Sequence, residues 1–187
     1  MSSKLLVLSD IHGNMPAIIA VLKWADEELT SSDMAVFLGD GLRELSLARQ
    51  QAGLSCEWKV VRGNNDYYAS FSDAAAAPES DVFDFGGHRF YICHGHRHAI
   101  YNGFDKLAAV ALKSGADAAL FGHIHVPCLE KINGIQLVCP GGVNRARSSA
   151  GETFAVIDCV PEKPLLVHFW GIERNCNISE LTWKTGL

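Results

Sequence analysis

Seven side chains able to ligate a metal stand where apolar runs stop. They are Asp10 and His12 in S-D-I-H-G-N, Asp40 in L-G-D-G, Asn64 in R-G-N-N-D, His94 in C-H-G-H, and His123 with His125 in G-H-I-H. Imidazole and carboxylate together suit borderline divalent transition ions. An ordinary catalytic ion takes about three protein ligands and keeps one position open. Seven ligands exceed that need, whereas two ions sharing one ligand would receive four each. The pattern predicts two neighbouring divalent ions and hydrolytic chemistry performed with them.

The spacing supports convergence. Residues i and i+2 of an extended segment point to the same side, so Asp10-x-His12 and His123-x-His125 can each bring two ligands to one place. Gly13 lets the chain turn away sharply after the first pair. Asp40 follows F-L-G and Asn64 follows V-V-R-G. A carboxylate can bridge two ions through its two oxygens, and two ions about 3.5–4 Å apart clamp an in-line displacement at phosphorus. Each short motif alone also fits an ordinary turn or capping residue. Their shared context, a β-like run before and a glycine beside, is what sets them apart. His96 follows His94 by two residues and could donate to a phosphoryl oxygen. His88, His98 and His168 lack such a context and read as surface or structural residues.

These motifs need strands to present them. Lys4 to Leu8, Met34 to Leu38 and Glu57 to Val61 read as buried strands, with helices predicted over 15 to 29 and 43 to 52 between them. Asn14 can cap the first helix, with Pro16 in its first turn. Asp81 to Phe85 and Arg89 to Cys93 flank Gly86-Gly87 as a hairpin. Residues 104 to 113 read as a helix, and Ala118 to Phe121 as a short strand leading to His123. Leu129 to Ile132 and Ile135 to Cys139 flank Asn133-Gly134, a second hairpin. Phe154 to Val160 and Leu165 to Trp170 form a last pair. Ser72 to Pro78, with its alanine run, fits a loop or a short helix. Strand–helix–strand order with polar motifs at strand C-terminal ends is an α/β pattern. The antiparallel pairs of the later half suggest two sheets face to face with helices outside.

The chain has 187 residues, and 48% of them are apolar, enough for one domain spanning 1–187 with a sizeable core. Its formal net charge is -5 and it has no basic stripe, which argues against binding extended nucleic acid. Six cysteines form no C-x-x-C pair, and most sit in apolar runs as buried thiols. With no signal peptide and no long apolar span, the expected location is a reducing cytoplasm without membrane insertion. Apolar edges at Trp170 or Trp183 could serve a homodimer.

Taken in order, D-x-H, G-D, G-N-x-D, H-G-H and G-H-x-H resemble the calcineurin-like metallophosphoesterase superfamily, and the length and H-G-H form look like its small bacterial and archaeal phosphodiesterase branch. The resemblance covers residues 4 to about 147. It implies a four-layer α/β/β/α sandwich of two mixed sheets flanked by helices. It implies that Asp10, His12 and His125 hold one ion, that Asn64, His94 and His123 hold the other, and that Asp40 bridges them. Manganese is the expected metal; iron, nickel and zinc accept the same ligands. Two positions depart from the pattern. Asn65 stands where the superfamily often has an acid histidine; its amide can hydrogen-bond a phosphoryl oxygen but cannot protonate a leaving group. Cys139 to Val143, C-P-G-G-V, replaces the commoner N-P-G-S, and Arg145 or Arg147 just beyond could pair with phosphate.

The expected activity is phosphodiester hydrolysis on a small substrate, with a hydroxide between the two ions attacking phosphorus in line. Asn65 and His96 would orient the phosphoryl group, and Asp66 would either fix the tautomer of a ligand histidine or cap a turn. The alternatives are a phosphomonoesterase or a nucleotide or protein phosphatase of the same superfamily, or an interaction scaffold like the retromer subunit that shares this fold. A structural zinc site would be rich in cysteine, and these ligands include none.

Overall fold

The computed structural model describes residues 2–66 and 76–182. Strand β1 (Ser3–Leu8) leads through helix α1 (Met15–Glu28) to β2 (Met34–Phe37), and through helix α2 (Leu42–Ala52) to β3 (Glu57–Val60). Crossover helices return the chain in the same direction, so β1–β2 and β2–β3 pair in parallel. Strands β4 (Ser80–Phe85) and β5 (His88–Cys93) then form an antiparallel hairpin. Gly86 and Gly87 both adopt positive φ at its turn, as a tight hairpin requires. Helix α3 (Asp105–Lys113) crosses to β6 (Ala118–Phe121), which lies parallel to β5. The hairpin of β7 (Pro127–Ile132) and β8 (Ile135–Pro140) turns at Asn133-Gly134, again with positive φ at both. Antiparallel β9 (Glu152–Cys159) and β10 (Leu166–Ile172), then β11 (Ile178–Glu180), complete the order.

Two mixed sheets result: six strands in the order β11-β10-β9-β1-β2-β3, and five in the order β4-β5-β6-β8-β7. The alternation of strand side chains divides the apolar residues among three cores. Leu6 and Leu8 of β1, Phe37 of β2 and Phe154 of β9 face α1 and α2, meeting Ile18, Leu22 and Leu45. Leu5, Val7, Val36 and Ile157 point the other way and meet Phe90, Ile92, Leu120 and Val138 of the second sheet. The remaining face of that sheet, with Phe121 and Leu137, packs on Leu107, Ala108 and Ala111 of α3. Helix, sheet, sheet and helix are thus separated by three apolar seams, which is the four-layer sandwich.

Asn14 caps α1 by accepting from the Ala17 N–H, with proline in the first turn. Strand β11 and a 3-10 turn at Ile100–Asn102 have no counterpart in the sequence reading, because three residues are too few to show a period. Trp170 is no exposed edge: β10 is paired on both sides, and the indole packs on Trp24 and Phe154, with centroids 4.6 and 6.3 Å away. Trp183 and most of the Ser72 to Pro78 segment lie outside the described residues. Among the described residues, no helix is long and apolar enough to cross a membrane, and all six cysteines are free thiols.

Candidate metal centre

Strands β1, β2, β3, β5 and β6 all deliver their polar motifs at their C-terminal ends, and those ends meet. The Asp10 and Ile11 N–H groups donate to the carbonyls of Gly39 and Asp40 at 3.0 and 2.9 Å, joining the first two loops. The Asn144 N–H donates to the Asp10 carbonyl at 3.1 Å, and the Arg147 N–H to the His125 carbonyl at 3.0 Å. The loop after β8 is thereby drawn over the same site. Gly39 and Gly63 touch so closely that a Cβ on Gly39 would run into the Gly63 backbone, and one on Gly63 into Asp40. Both positions need glycine for close approach, and Gly39, with φ of 95°, needs it for the turn as well.

The ligand loops are not extended, contrary to the geometry expected from the i, i+2 spacing. Asp10, His12, Asp40, His123 and His125 have φ of 57°, 40°, 62°, 71° and 57°. Left-handed backbone is uncommon for such residues and gathers at functional sites. The strands stop before the ligands, and each loop coils to turn its side chains inward. Convergence is achieved by this coiling rather than by strand alternation.

Asp10 is fully buried. Its Oδ2 accepts from Ser9 Oγ at 2.5 Å and from the His123 N–H at 3.0 Å. Oδ1 has no hydrogen-bond partner, although His125, His12 and His94 turn Nε2 toward it at 3.1, 3.5 and 3.9 Å. Asp40 Oδ2 lies 3.6 Å from His12 Nε2 and 3.4 Å from His94 Nε2. Asn64 Oδ1 is 3.1 Å from His94 Nε2. Two compact groups emerge, Asp10 with His12 and His125, and Asp10 with Asp40 and His94, each with ligand atoms within 4.8 Å of one another. His123 stands beside the second group, its ring centroid 5.0 Å from that of His94.

The residues fit divalent ions on their own chemistry. His94 Nδ1 faces the Leu38 carbonyl at 2.8 Å, and His125 Nδ1 faces the carbonyls of Asn144 and Arg145 at 3.1 and 3.0 Å. A carbonyl only accepts, so each Nδ1 carries the proton and each Nε2 turns a lone pair into the site. Two such nitrogens, of His12 and His125, sit 3.2 Å apart. Lone pairs converging on buried carboxylate oxygens call for a cation. In a metal-free chain protons take that place. Burial would depress the pKa of His94 and His125, but Asp40 and Asp10 outweigh it and raise both. Burial would raise Asp10 and Asp40, but the surrounding imidazoles, with the Asn65 amides on Asp40, hold both below the usual carboxylate range. His123 is pushed down to about 4 by burial and by the charge of His94, so it is neutral and able to ligate near pH 7.

Four further residues of the expected site stand around this centre. Asp66 touches no histidine in its hydrogen bonds. Its carboxylate accepts the backbone N–H groups of Asp40, Gly41, Leu42 and Gly63 at 2.7, 2.9, 3.0 and 2.8 Å, pinning the Asp40 loop and the start of α2 to the Asn64 loop. Carbonyls, not Asp66, set the histidine tautomers. Asn65 grips Asp40, donating its backbone N–H to Oδ1 at 2.8 Å and its side-chain amide to Oδ2. Arg145 is exposed, and its bonded contributions come from its backbone: its carbonyl accepts from His125. His96 lies beside the His94 and His123 rings, at 5.5 and 6.2 Å, with its pKa lowered by burial and by the charges of His94 and Arg97. Ser9 and Asn144, whose amide donates to the His12 carbonyl at 3.0 Å, also belong to the site. Neither carries a sequence signal beyond standing next to a motif.

Comparison with known proteins bears on this geometry directly. Residues 4–162 match the calcineurin-like phosphoesterase superfamily domain. The chain belongs to this superfamily. A probable metallophosphoesterase of Mycoplasma pneumoniae is 31% identical over 149 residues, covering 78% of this chain and 82% of that protein. Among solved structures, a conserved predicted phosphoesterase of Streptococcus pneumoniae TIGR4 is 25% identical with a TM-score of 0.74, over 97% of this chain and 98% of that one. Vacuolar Protein Sorting 29 from Cryptosporidium parvum superposes with a TM-score of 0.75 at 15% identity, over 96% and 97% of the two chains. That last likeness concerns the fold alone. The metallophosphoesterase fold and its His/Asp cluster are thus both present in this chain, in the small bacterial form of the family.

Proposed function

We propose that the protein is a dinuclear metal-dependent phosphodiesterase acting on a small substrate in the cytoplasm. The observation that supports this most is the position of Asp40. One of its oxygens lies between His12 and His94, the two histidines that belong to different ligand groups. Asp10, His12 and His125 would hold one ion, and Asn64, His94 and His123 the other, with Asp40 shared. When bound, the ions supply Lewis acidity and lower the pKa of water toward about 7.

The chain's own groups supply the rest. The Leu38, Asn144 and Arg145 carbonyls keep the Nε2 lone pairs of His94 and His125 directed at the site. Ser9 and the His123 N–H fix the Asp10 carboxylate so that only Oδ1 faces inward. Asn65 stands on the rim, where its amide can pass from Asp40 to a phosphoryl oxygen. His96, neutral near pH 7, would donate to the same group, and Arg145 is an exposed cation on the covering loop. The Asn65 amide cannot protonate a departing oxygen, so substrates with good leaving groups are favoured.

The test is turnover of bis(4-nitrophenyl) phosphate, methyl 4-nitrophenyl phosphate and 4-nitrophenyl phosphate by protein loaded with manganese, with and without chelator. The proposal expects diester cleavage that chelator abolishes, with the monoester slower. Preference for the monoester would assign a phosphatase instead. Absence of turnover on all three at saturating manganese would leave a binding role on this fold.

A further inference from the structure

A cavity of about 680 Å³ opens beside the metal centre, against the loop that carries His123 and His125. Its walls are mainly apolar, with Tyr101, Phe104, Ile124 and Leu129 among them; Arg147 contributes a cation and Glu130 a carboxylate. This volume lies within the range of small-molecule sites, which combine apolar walls with a few fixed polar groups. The cavity adjoins the metal site across the loop that carries the two histidines. Ile124 separates the two histidines of G-H-I-H. The Tyr101 ring lies 5.4 Å from the His123 ring, and its hydroxyl donates to the His123 carbonyl at 3.3 Å. The Arg147 backbone N–H donates to the His125 carbonyl at 3.0 Å.

Tyr101 is 62% exposed, so core packing does not explain its place. Two hydrogen bonds hold it upright: the one to His123, and one received from Arg147 Nη1 at 2.8 Å. An aromatic face and a guanidinium are thereby fixed together at the edge of the metal centre. A ring offers π-stacking and apolar contact to a planar group, and a guanidinium favours a phosphoryl anion. An occupant that reaches both must carry a phosphoryl group on the metal side and an aromatic group on the other.

We infer that this groove is a specificity subsite for an aryl ring esterified to the phosphoryl group, with Tyr101 as its stacking platform. The inference rests on the phosphodiesterase reading for the place of the phosphoryl group. It goes beyond that reading by naming the organic arm. Tyr101 lies in the 3-10 turn between the His94 loop and α3.

The experiment compares two anions that differ in that arm alone. Isothermal titration calorimetry of the manganese-loaded protein would give Kd for phenylphosphonate and methylphosphonate. The expected preference for phenylphosphonate is roughly tenfold, the scale of one buried ring against a methyl. Tyr101→Ala should reduce that preference about fivefold, while Tyr101→Phe, which keeps the ring, should preserve most of it. Leu166→Ser, at a 59% exposed position on β10, is the control and should change neither Kd. Equal affinity for the two phosphonates, or absence of binding by both, would overturn the subsite. So would an equal loss of both affinities in Tyr101→Ala. Turnover of bis(4-nitrophenyl) phosphate by the same preparation separates the two readings. Turnover without a phenyl preference removes the subsite alone. A phenyl preference that depends on Tyr101, without turnover, removes the hydrolase and leaves the subsite standing.

Discussion

Replacing Asp66 by asparagine is the sharpest probe of how the site is assembled. Asp66 is buried and makes no contribution that depends on bound metal, yet four backbone N–H groups converge on it, two on each oxygen. Asparagine keeps one acceptor oxygen and puts an NH₂ where the other stood. Two bonds are lost, and a donor then faces two donors. A hydrogen bond to a charged group contributes about 1.5–3 kcal/mol, so Asp66→Asn should destabilise the chain by about 3–5 kcal/mol. At roughly 2–4 °C per kcal/mol for a chain of this size, Tm should fall by about 10 °C. The measurement is calorimetric unfolding in chelator, which removes any metal contribution, paired with urea unfolding. Manganese affinity should fall as well, because the Asp40 and Asn64 loops are no longer tied together. A loss under about 1 kcal/mol with unchanged manganese affinity would refute the view that Asp66 holds these loops.

Three further outcomes rest on the same geometry. Asp40→Ala removes the carboxylate whose Oδ2 lies 3.6 Å from His12 Nε2 and 3.4 Å from His94 Nε2 and should abolish activity. His88→Ala removes a side chain whose Nε2 faces only the Val160 carbonyl, at 3.1 Å, and should leave activity within a factor of about two; parallel kinetic assays read both. The response of stability to pH should reverse on metal binding. Asp40 and Asp10 overcome burial to raise His94 and His125 above their ordinary values. In metal-free protein this stabilisation is complete below an unfolded histidine pKa of about 6.5 and is lost as pH rises through the raised values. Ligation needs the neutral imidazoles, so manganese affinity should rise over the same interval. Melting curves in chelator should therefore show Tm falling from about pH 6 to 8, while the increment added by manganese grows.

How much of this was legible in the sequence depends on the range of the signal. Ala118–Phe121 and the two glycine hairpins follow from local composition, and their turns carry the positive φ that Gly86, Gly87 and Gly134 announce. The three apolar seams follow from strand alternation: Leu5 and Leu6, adjacent in sequence, fall into different cores. The ligand list was readable because each member closes an apolar run. The loop geometry was not. A period-2 argument applies to strands, and Asp10, His12, His123 and His125 adopt left-handed backbone that no residue type in those motifs requires except the glycines beside them. For Asp66 the sequence leaves a tautomer-fixing role and a turn cap open; its partners in the Asp40 loop lie 24 to 26 residues away, in a contact that only the folded sheet creates. The pairing of Tyr101 with Arg147, 46 residues apart, is likewise a product of the tertiary structure.

The account as a whole depends on two cations lying side by side within reach of Asp40. Manganese titration of chelator-stripped protein, read by elemental analysis and by electron paramagnetic resonance, tests this most directly. Two manganese ions per chain with an exchange-coupled spectrum are predicted for the wild type, and loss of the coupled signal for Asp40→Ala. A single uncoupled ion per chain at saturating manganese, or none, would contradict the dinuclear centre.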